Sequence, residues 1–483
     1  MTQGFSEKDA GSTDCQGWAR MEGSSPLRMR FLNLTRATEI GANSYYLELA
    51  GQRIVIDAGM HPKRIGEAAT PDYRAIPAER LEAIFLSHAH QDHVGTLPIL
   101  MRRFVETPVY LTSPTARLAD VMLHNSINVM SRQKEDVGIT EYPLFTHREA
   151  DQIVNRWREV RLNEQRSFAG ERAHGAETSF SFFDAGHILG SVGILFNAEG
   201  KRIFYTGDVN FLDQTLMCSA DFPLEPLDVL IIETTRGDRA LASQYSRANE
   251  EQRFLAAIEA GFARGGSILV PVFALGKTQE VLTMLVKFRL EGHLRDVPVY
   301  IGGLSTKVTQ VHDQLALFSV RQHNGLQLLD TIAPYVLNGR ELATTQVNRK
   351  RLYVLSSGMM TEKTLSNQLG ARFIDNPLQS IYFVGYADPD SPGGRLKAAR
   401  PGDLVQLDQD VPRQRLRAAI EEFDFSAHAP REALLEYIKR TTPKKVVLVH
   451  GDPPAIAWFQ QAINKYLPKT EVIVPLPGKE YEL

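Results

Sequence analysis

The sequence predicts an α/β fold, and three observations carry that prediction. Short apolar runs of strand length recur along the chain, segments with three- and four-residue apolar spacing lie between them, and several runs end in His, Asp or Glu. Of the 483 residues, 43% are hydrophobic and 23% charged, an ordinary globular composition that excludes bulk disorder. The length suits roughly two to three domains of ~150 residues. The longest apolar run, near Ile268–Leu275, falls far short of the ~18 residues a membrane span needs, so no membrane role is expected.

Residues 1–27 combine Gly, Ser and acids without an apolar stretch, and read as a disordered leader, not a secretory signal. Two cysteines, Cys15 and Cys218, cannot build a disulfide framework or a Cys-rich zinc site. A reducing cytoplasm is the expected setting.

The runs Arg53–Asp57, Ala83–Ser87, Arg202–Thr206, Val229–Glu233, Ser267–Val272, Val297–Ile301, Arg351–Leu355, Ser380–Val384 and Lys445–His450 read as buried strands. Chemistry-bearing residues at their ends are what a sheet with a site on its loops would show. Phe254, Leu255, Ile258 and Phe262 mark one helix face, with Ser246 and Asn249 as caps, and Val281, Leu282, Leu285 and Phe288 mark another.

The most informative stretch is Ser87-His88-Ala89-His90-Gln91-Asp92-His93. His88 and His90, two apart in extended chain, project to one side, and Asp92 and His93 follow where a helix could begin. Four such side chains within six residues are hard to bury as mere core. Asp57, His187, Asp208, Glu233, His428 and His450 stand in comparable settings at run ends or in small-residue turns. Imidazoles and carboxylates without Cys suit Zn²⁺ or a similar borderline metal, and their number suits two ions. His61, His124, His147, His174, His293, His312 and His323 lack such a context and read as structural.

The order Asp57, His88-Ala89-His90-Gln91-Asp92-His93, His187, Asp208 resembles the metallo-β-lactamase fold of binuclear hydrolases. Glu233-Thr234-Thr235, the stretch Pro271–Glu280, Ser356-Ser357-Gly358-Met359, Gly385-Tyr386, Ser426-Ala427-His428-Ala429 and Leu448-Val449-His450-Gly451 resemble its β-CASP branch of nucleic-acid-processing nucleases. The likeness runs from about Asn33 to Asp452 with the motifs in family order.

The resemblance implies an αββα sandwich formed by residues 28–237 and 395–483, with an α/β β-CASP domain inserted at 238–394. It implies two Zn²⁺ per chain: His88, His90 and His187 on one, Asp92, His93 and His428 on the other, and Asp208 bridging. Asp57 and His450 would stand behind the ligands, Asp57 orienting an imidazole. Asp92, Asp208, Glu233 and His428 would carry the catalysis, with Glu233 supporting proton transfer. Many family members place a His near the position of Arg395 to pair with that acid, and this chain has none there, leaving Glu233 alone, His450 or water for the leaving group.

The implied activity is hydrolysis of RNA, most simply single-stranded and cut internally, leaving a 5′-phosphate and a 3′-hydroxyl. Hydrolysis of DNA or of a small ester or thioester, and a catalytically weak RNA-binding subunit, are the alternatives; a homodimer is left open. Phosphate contacts are expected from the Ser356-Ser357-Gly358 turn, from the helix start at Gly276 and Lys277, and from Arg395. Gly276-Lys277-Thr278 is not a nucleotide-binding loop, because its first Gly is replaced by Pro271.

The formal charge of −3 offers no global attraction to nucleic acid. The insert, however, holds 16 Lys+Arg against 14 Asp+Glu, including Arg349-Lys350-Arg351. The basic surplus lies in the lobe expected to grip a phosphate backbone, and its small size predicts contacts confined to a groove.

Overall fold

The computed structural model describes residues 29–168, 178–347 and 349–483, so the expected leader lies outside the described residues. Two seven-stranded sheets and one six-stranded sheet make up the frame. In the first, the spatial order is Glu480–Glu482, Arg30–Asn33, Tyr45–Leu49, Gln52–Ile56, Ala83–Phe85, Val109–Leu111 and Trp157–Glu159. In the second it is Glu471–Ile473, Lys445–Val449, Val229–Glu233, Lys201–Tyr205, Val192–Ala198, Ser179–Asp184 and Arg166–Ser167.

Side-chain parity decides how these sheets stack. In Lys201–Tyr205, Ile203 and Tyr205 point to the other sheet while Phe204 points away; in Val229–Glu233, Val229 and Ile231 point in while Leu230 and Ile232 point out. Both faces are buried, which is why these strands read as continuous apolar runs. The inner layer joins Phe31, Tyr45, Ile54 and Phe85 to Phe180, Phe182, Phe196 and Tyr205. Phe85 sits at its centre, with ring centroids 4.8 Å from Phe180 and 5.0 Å from Phe196. Truncating it to Ala would cost about 3–5 kcal/mol. Outside the first sheet lie the helices Leu97–Arg103, Ser113–Val137 and His147–Ile153, and outside the second lie Arg431–Thr441 and Pro453–Tyr466. The αββα sandwich expected from the sequence is present.

The third sheet is wholly parallel, in the order Tyr335–Leu337, Val299–Gly302, Leu352–Leu355, Ile268–Pro271, Ser380–Phe383 and Ala419–Glu422. Arg247–Ala263 and Lys277–Leu290 cover one face through Phe254, Ile258, Leu282 and Phe288, and Ser246 caps the first by accepting from the Asn249 N–H. Leu365–Phe373 and Pro392–Ala398 cover the other. Beyond Gly394 the chain returns to this sheet, where Ala419–Glu422 pairs in parallel with Ser380–Phe383. No apolar run marked that strand: its four residues are only half-buried or exposed at the sheet edge.

The lobes touch where Val308, Val311 and Leu315, on and just after the helix Leu304–Gln314, join the core beside Ser113–Val137. No described helix is long and apolar enough to cross a membrane.

Candidate metal centre

Strand ends of the sandwich deliver most of the site. His88 and His90 follow Ala83–Phe85, Asp208 follows Lys201–Tyr205, Glu233 ends its strand, and His450 follows Lys445–Val449. His187 lies in the loop between Ser179–Asp184 and Val192–Ala198, and His428 follows the edge strand Ala419–Glu422 of the inserted sheet. Asp57 and His450 leave their strands with φ of 60° and 48°, a left-handed turn that non-glycine residues adopt at a cost of roughly 1 kcal/mol or more. Gly59 passes so close to the His90–His93 turn that a Cβ there would meet the Asp92 carbonyl oxygen at 1.7 Å.

Three imidazoles meet at one point. Nδ1 of His90 lies 3.1 Å from Nε2 of His88 and 3.1 Å from Nε2 of His187. Their opposite nitrogens face other partners: His88 Nδ1 is 3.0 Å from the Ser87 hydroxyl, and His187 Nδ1 donates to the Ala427 carbonyl at 2.8 Å. A shared proton satisfies such a crowd of lone pairs only in part, whereas a cation satisfies all three. Burial pushes His88 and His187 well below the usual imidazole range, which keeps them neutral, as metal ligation requires.

A second set lies beside the first. His450 Nε2 is 3.4 Å from Asp92 Oδ2, and His93 donates through Nδ1 to Asp57 at 2.8 Å, turning Nε2 toward Asp208. Asp208 serves both sets with separate oxygens. Oδ1 lies 3.4 Å from His93 Nε2 and 3.1 Å from His450 Nδ1, while Oδ2 lies 3.6 Å from His88 Nε2 and 3.7 Å from His187 Nε2. Burial opposes ionisation of this carboxyl, but His450 and His93 outweigh it and hold the group well below the usual carboxylate range.

Whether these residues fit a metal is tested by Asp208 Oδ1, which is buried with no hydrogen-bond partner among the described residues. A carboxylate oxygen left so is costly, and a bound cation removes the cost. Three groups within ligand reach, His88-His90-His187-Asp208, Asp92-His93-His450 and Asp208-Glu233-His428, offer only nitrogen and oxygen donors, the chemistry of zinc or a similar borderline ion. The residues fit.

Asp57 anchors the second set. Its Oδ1 accepts the Ser87 N–H at 2.8 Å, and its Oδ2 accepts from the Ser87 hydroxyl, from His93 and from the Tyr205 hydroxyl at 2.8, 2.8 and 2.7 Å. A carboxylate so placed fixes the tautomer of a ligating imidazole.

Two expectations are corrected by the geometry. His428 does not complete the set of Asp92 and His93; His450 does. His428 instead turns Nδ1 to Glu233, 3.2 Å from Oε1 and 3.1 Å from Oε2. Glu233 therefore has an imidazole partner, supplied by Ser426-Ala427-His428-Ala429 and not by the neighbourhood of Arg395. Burial works against charging His428, and the Glu233 carboxylate overcomes it, so its pKa is raised.

The expected phosphate contacts fare differently. The Gly276 N–H is taken by the Gln279 side chain at 2.9 Å, the Thr278 N–H by the Phe273 carbonyl at 3.1 Å, and the Lys277 ammonium by the Phe425 carbonyl. Lys277 is only 9% exposed, so its ammonium is turned into the protein toward this carbonyl and away from solvent. Arg395 spends its guanidinium on the carbonyls of Asp390 and Gln406, at 2.6 and 3.2 Å. In the Ser356-Ser357-Gly358 turn, Ser357 is half-buried; its Oγ accepts the Thr361 N–H at 2.9 Å and donates to the Thr361 hydroxyl at 3.2 Å.

Sequence reading missed Tyr205, Asn43 and Thr235. Asn43 Nδ2 lies 3.1 Å from His93 Nε2, and the Thr235 hydroxyl lies 2.9 Å from His450 Nδ1. Tyr205 left a signal: its parity with Ile203 turns it inward, where a phenol needs an acceptor. Thr235 stood in the Glu233-Thr234-Thr235 motif without a role of its own, and Asn43 left no signal.

Three family models match successive stretches of the chain. They are the metallo-beta-lactamase superfamily over residues 37–251, the Beta-Casp domain over 278–396, and the Zn-dependent metallo-hydrolase RNA specificity domain over 413–475. The chain belongs to the β-CASP branch of the metallo-β-lactamase superfamily. As a β-CASP protein it is a metal-dependent hydrolase of an RNA-nuclease family. An RNase J-like protein of Methanocaldococcus jannaschii is 28% identical over 443 residues, covering 91% of this chain and 96% of that protein. The endoribonuclease ysh1 of Schizosaccharomyces pombe is 26% identical, covering 93% of this chain and 59% of that protein. The β-CASP chain thus spans nearly all of the first relative and about three-fifths of the second. A solved structure from Enterococcus faecalis, described as a protein of unknown function, shares the fold with a TM-score of 0.56 at 13% identity, over 94% of this chain and all of that one.

Proposed function

We propose that this protein is a binuclear zinc endoribonuclease that hydrolyses phosphodiester bonds of single-stranded RNA. The observation that carries the reading is the Asp208 carboxylate, with Oδ2 toward His88 and His187 and Oδ1 toward His93 and His450. One ion would be held by His88, His90, His187 and Asp208, and the other by Asp92, His93, His450 and Asp208. Two ions bound there supply a water-derived nucleophile at neutral pH and offset charge on the scissile phosphate.

The chain's own residues do the rest. Asp57 fixes His93, and the Ala427 carbonyl fixes His187. Glu233 holds Nδ1 of His428 and leaves Nε2 for the substrate, where it delivers a proton to the leaving 3′-oxygen. The half-buried Ser357 hydroxyl, with Ser356 and Gly358, is our choice for a phosphate contact on the inserted lobe. RNA as substrate is supported by the match to the RNA specificity domain and by the printed names of the relatives. With two cysteines in the chain, we place the protein in a reducing cytoplasm.

The test is incubation of the zinc-loaded protein with end-labelled single-stranded RNA and with DNA of the same sequence. Internal RNA cuts leaving 5′-phosphates are expected. Cleavage confined to DNA, or RNA cleavage that survives Asp208→Ala, would overturn the reading.

A further inference from the structure

The first turn of the helix Lys277–Leu290 belongs to the inserted lobe, yet two of its side chains lead to the metal centre of the other lobe. Lys277 donates to the carbonyl of Phe425, and the same loop then provides the Ala427 carbonyl that receives His187 Nδ1 at 2.8 Å, followed by His428 itself. Glu280, one turn on and 2% exposed, accepts the Thr215 N–H through Oε1 at 2.7 Å and the Leu216 N–H through Oε2 at 2.8 Å. Next to them in the chain, Gln214 donates through Nε2 to the carbonyls of Gly186 at 2.8 Å and His187 at 2.9 Å. His187 is therefore held at its ring by the loop that Lys277 ties, and at its backbone by the loop that Glu280 ties.

The charges themselves need a reason. Arg247 pairs with Glu280 and lies 3.2 Å from Glu251, which also takes Lys287 at 2.7 Å. Apolar residues of similar volume would often be as stable in such a place, whereas a buried charged network fixes one arrangement of the elements it joins. The charged residues lie on two helices of the inserted lobe, and Glu280 and Glu251 carry the network to the other lobe through the Thr215 and Leu216 N–H groups and the Thr215 hydroxyl, next to the loop that holds His187.

We propose that Lys277 and Glu280 are positioning residues for the reaction, coupling the seating of the inserted lobe to the placement of His187 and His428. This rests on the metal-centre reading above. Lys277 thereby has a role in place of the phosphate contact that its sequence context suggested.

The test uses the full chain with Lys277→Met, which keeps the apolar stem, Glu280→Gln, which puts an amide donor against a backbone N–H, and Gln214→Leu, which cuts the link beyond Glu280. Each is assayed with zinc on RNA, and separately loaded with Co²⁺ to read the ligand-field absorption band and the rate of metal loss to a chelator. The expected result is a kcat lower by about 10–100-fold with KM within about two-fold, the loss typical of groups that orient metal ligands. Glu280→Gln and Gln214→Leu are also expected to shift the cobalt band and to release metal faster. Unchanged kcat, band and release in a folded variant would overturn the proposal. So would a raised KM with unchanged kcat in Lys277→Met, which would make Lys277 a substrate contact after all. If Glu280→Gln does not fold, Lys277→Met and Gln214→Leu decide the matter. If the wild-type chain cleaves no RNA, the endoribonuclease reading fails, and the cobalt band and metal release still test the positioning.

Discussion

Nδ1 of His428 lies 3.2 and 3.1 Å from the two carboxylate oxygens of Glu233, a pair formed between the edge of the inserted sheet and the centre of the sandwich. Because His450, not His428, stands with Asp92 and His93, the two histidines should fail differently. His428→Ala is expected to lower kcat by about 10²–10⁴-fold while keeping the full metal complement. His450→Ala should lose metal from one set. Metal analysis of both variants separates the roles, and the opposite pattern would restore the grouping that the sequence suggested.

Asp208 links the sets, so its removal should affect both. A chelator is expected to lower the Tm of the wild-type chain, since a ligand bound only by the folded state adds to stability. Asp208→Ala should retain little metal, and its Tm should respond little to the same chelator. A large chelator shift in that variant would show that the ions do not depend on this carboxylate.

Asp57 receives His93 Nδ1 at 2.8 Å and the Tyr205 hydroxyl at 2.7 Å on the same oxygen. Asn at this position has one acceptor oxygen, so with that oxygen toward His93 and Tyr205 its amide must face the Ser87 N–H, which donates to the other carboxylate oxygen at 2.8 Å. Metal affinity weaker by about 10–100-fold is expected for Asp57→Asn, measured by competition with a chromogenic chelator. Wild-type affinity would mean that His93 needs no such support.

Burial pushes the Asp184 carboxyl up to about 7 even though its Oδ1 accepts the Gly186 N–H at 2.8 Å. The unfolded group titrates near 3.8, so the stability this proton confers is complete below that pH and is lost as pH rises through 7. Asp184→Asn keeps an acceptor for Gly186 and carries no charge to bury. The variant should gain on wild type by about 1–3 kcal/mol between pH 5 and pH 8 in urea unfolding. An equal difference at both pH values would refute this.

The nine apolar runs read as strands all form strands, within one or two residues at their ends. They were legible because both faces of each are buried, which leaves an unbroken apolar signal. Ala419–Glu422 was not legible, since an edge strand with half-exposed residues carries little hydrophobic pattern. At the site, His88, His90, Asp92 and His93 declared themselves by proximity in the chain. Asn43 did not, because a single polar residue in a turn looks the same with or without a partner across the fold. Gly276 and Lys277 misled for a related reason: a helix start with Gly and Lys matches a phosphate cradle locally, and only packing shows that the Gly276 and Thr278 N–H groups and the Lys277 ammonium point to Gln279, Phe273 and Phe425.

What the sequence by itself determined is the chemistry: which imidazoles and carboxylates are present, that they stand at the ends of buried runs, and that the donor set suits two borderline metal ions. What only the tertiary structure decided is which of them face one another. His428 and His450 have similar local settings, each in a short turn after a strand, so nothing local assigns them. Their strands belong to different sheets. Lys445–Val449 lies beside Val229–Glu233 with Val449 level with Glu233, while Ala419–Glu422 closes the edge of the inserted sheet. Sheet membership places one imidazole at the second metal set and aims the other, across the lobe boundary, at Glu233. Strand pairing between segments roughly two hundred residues apart sets that choice, and no window of the sequence contains both partners.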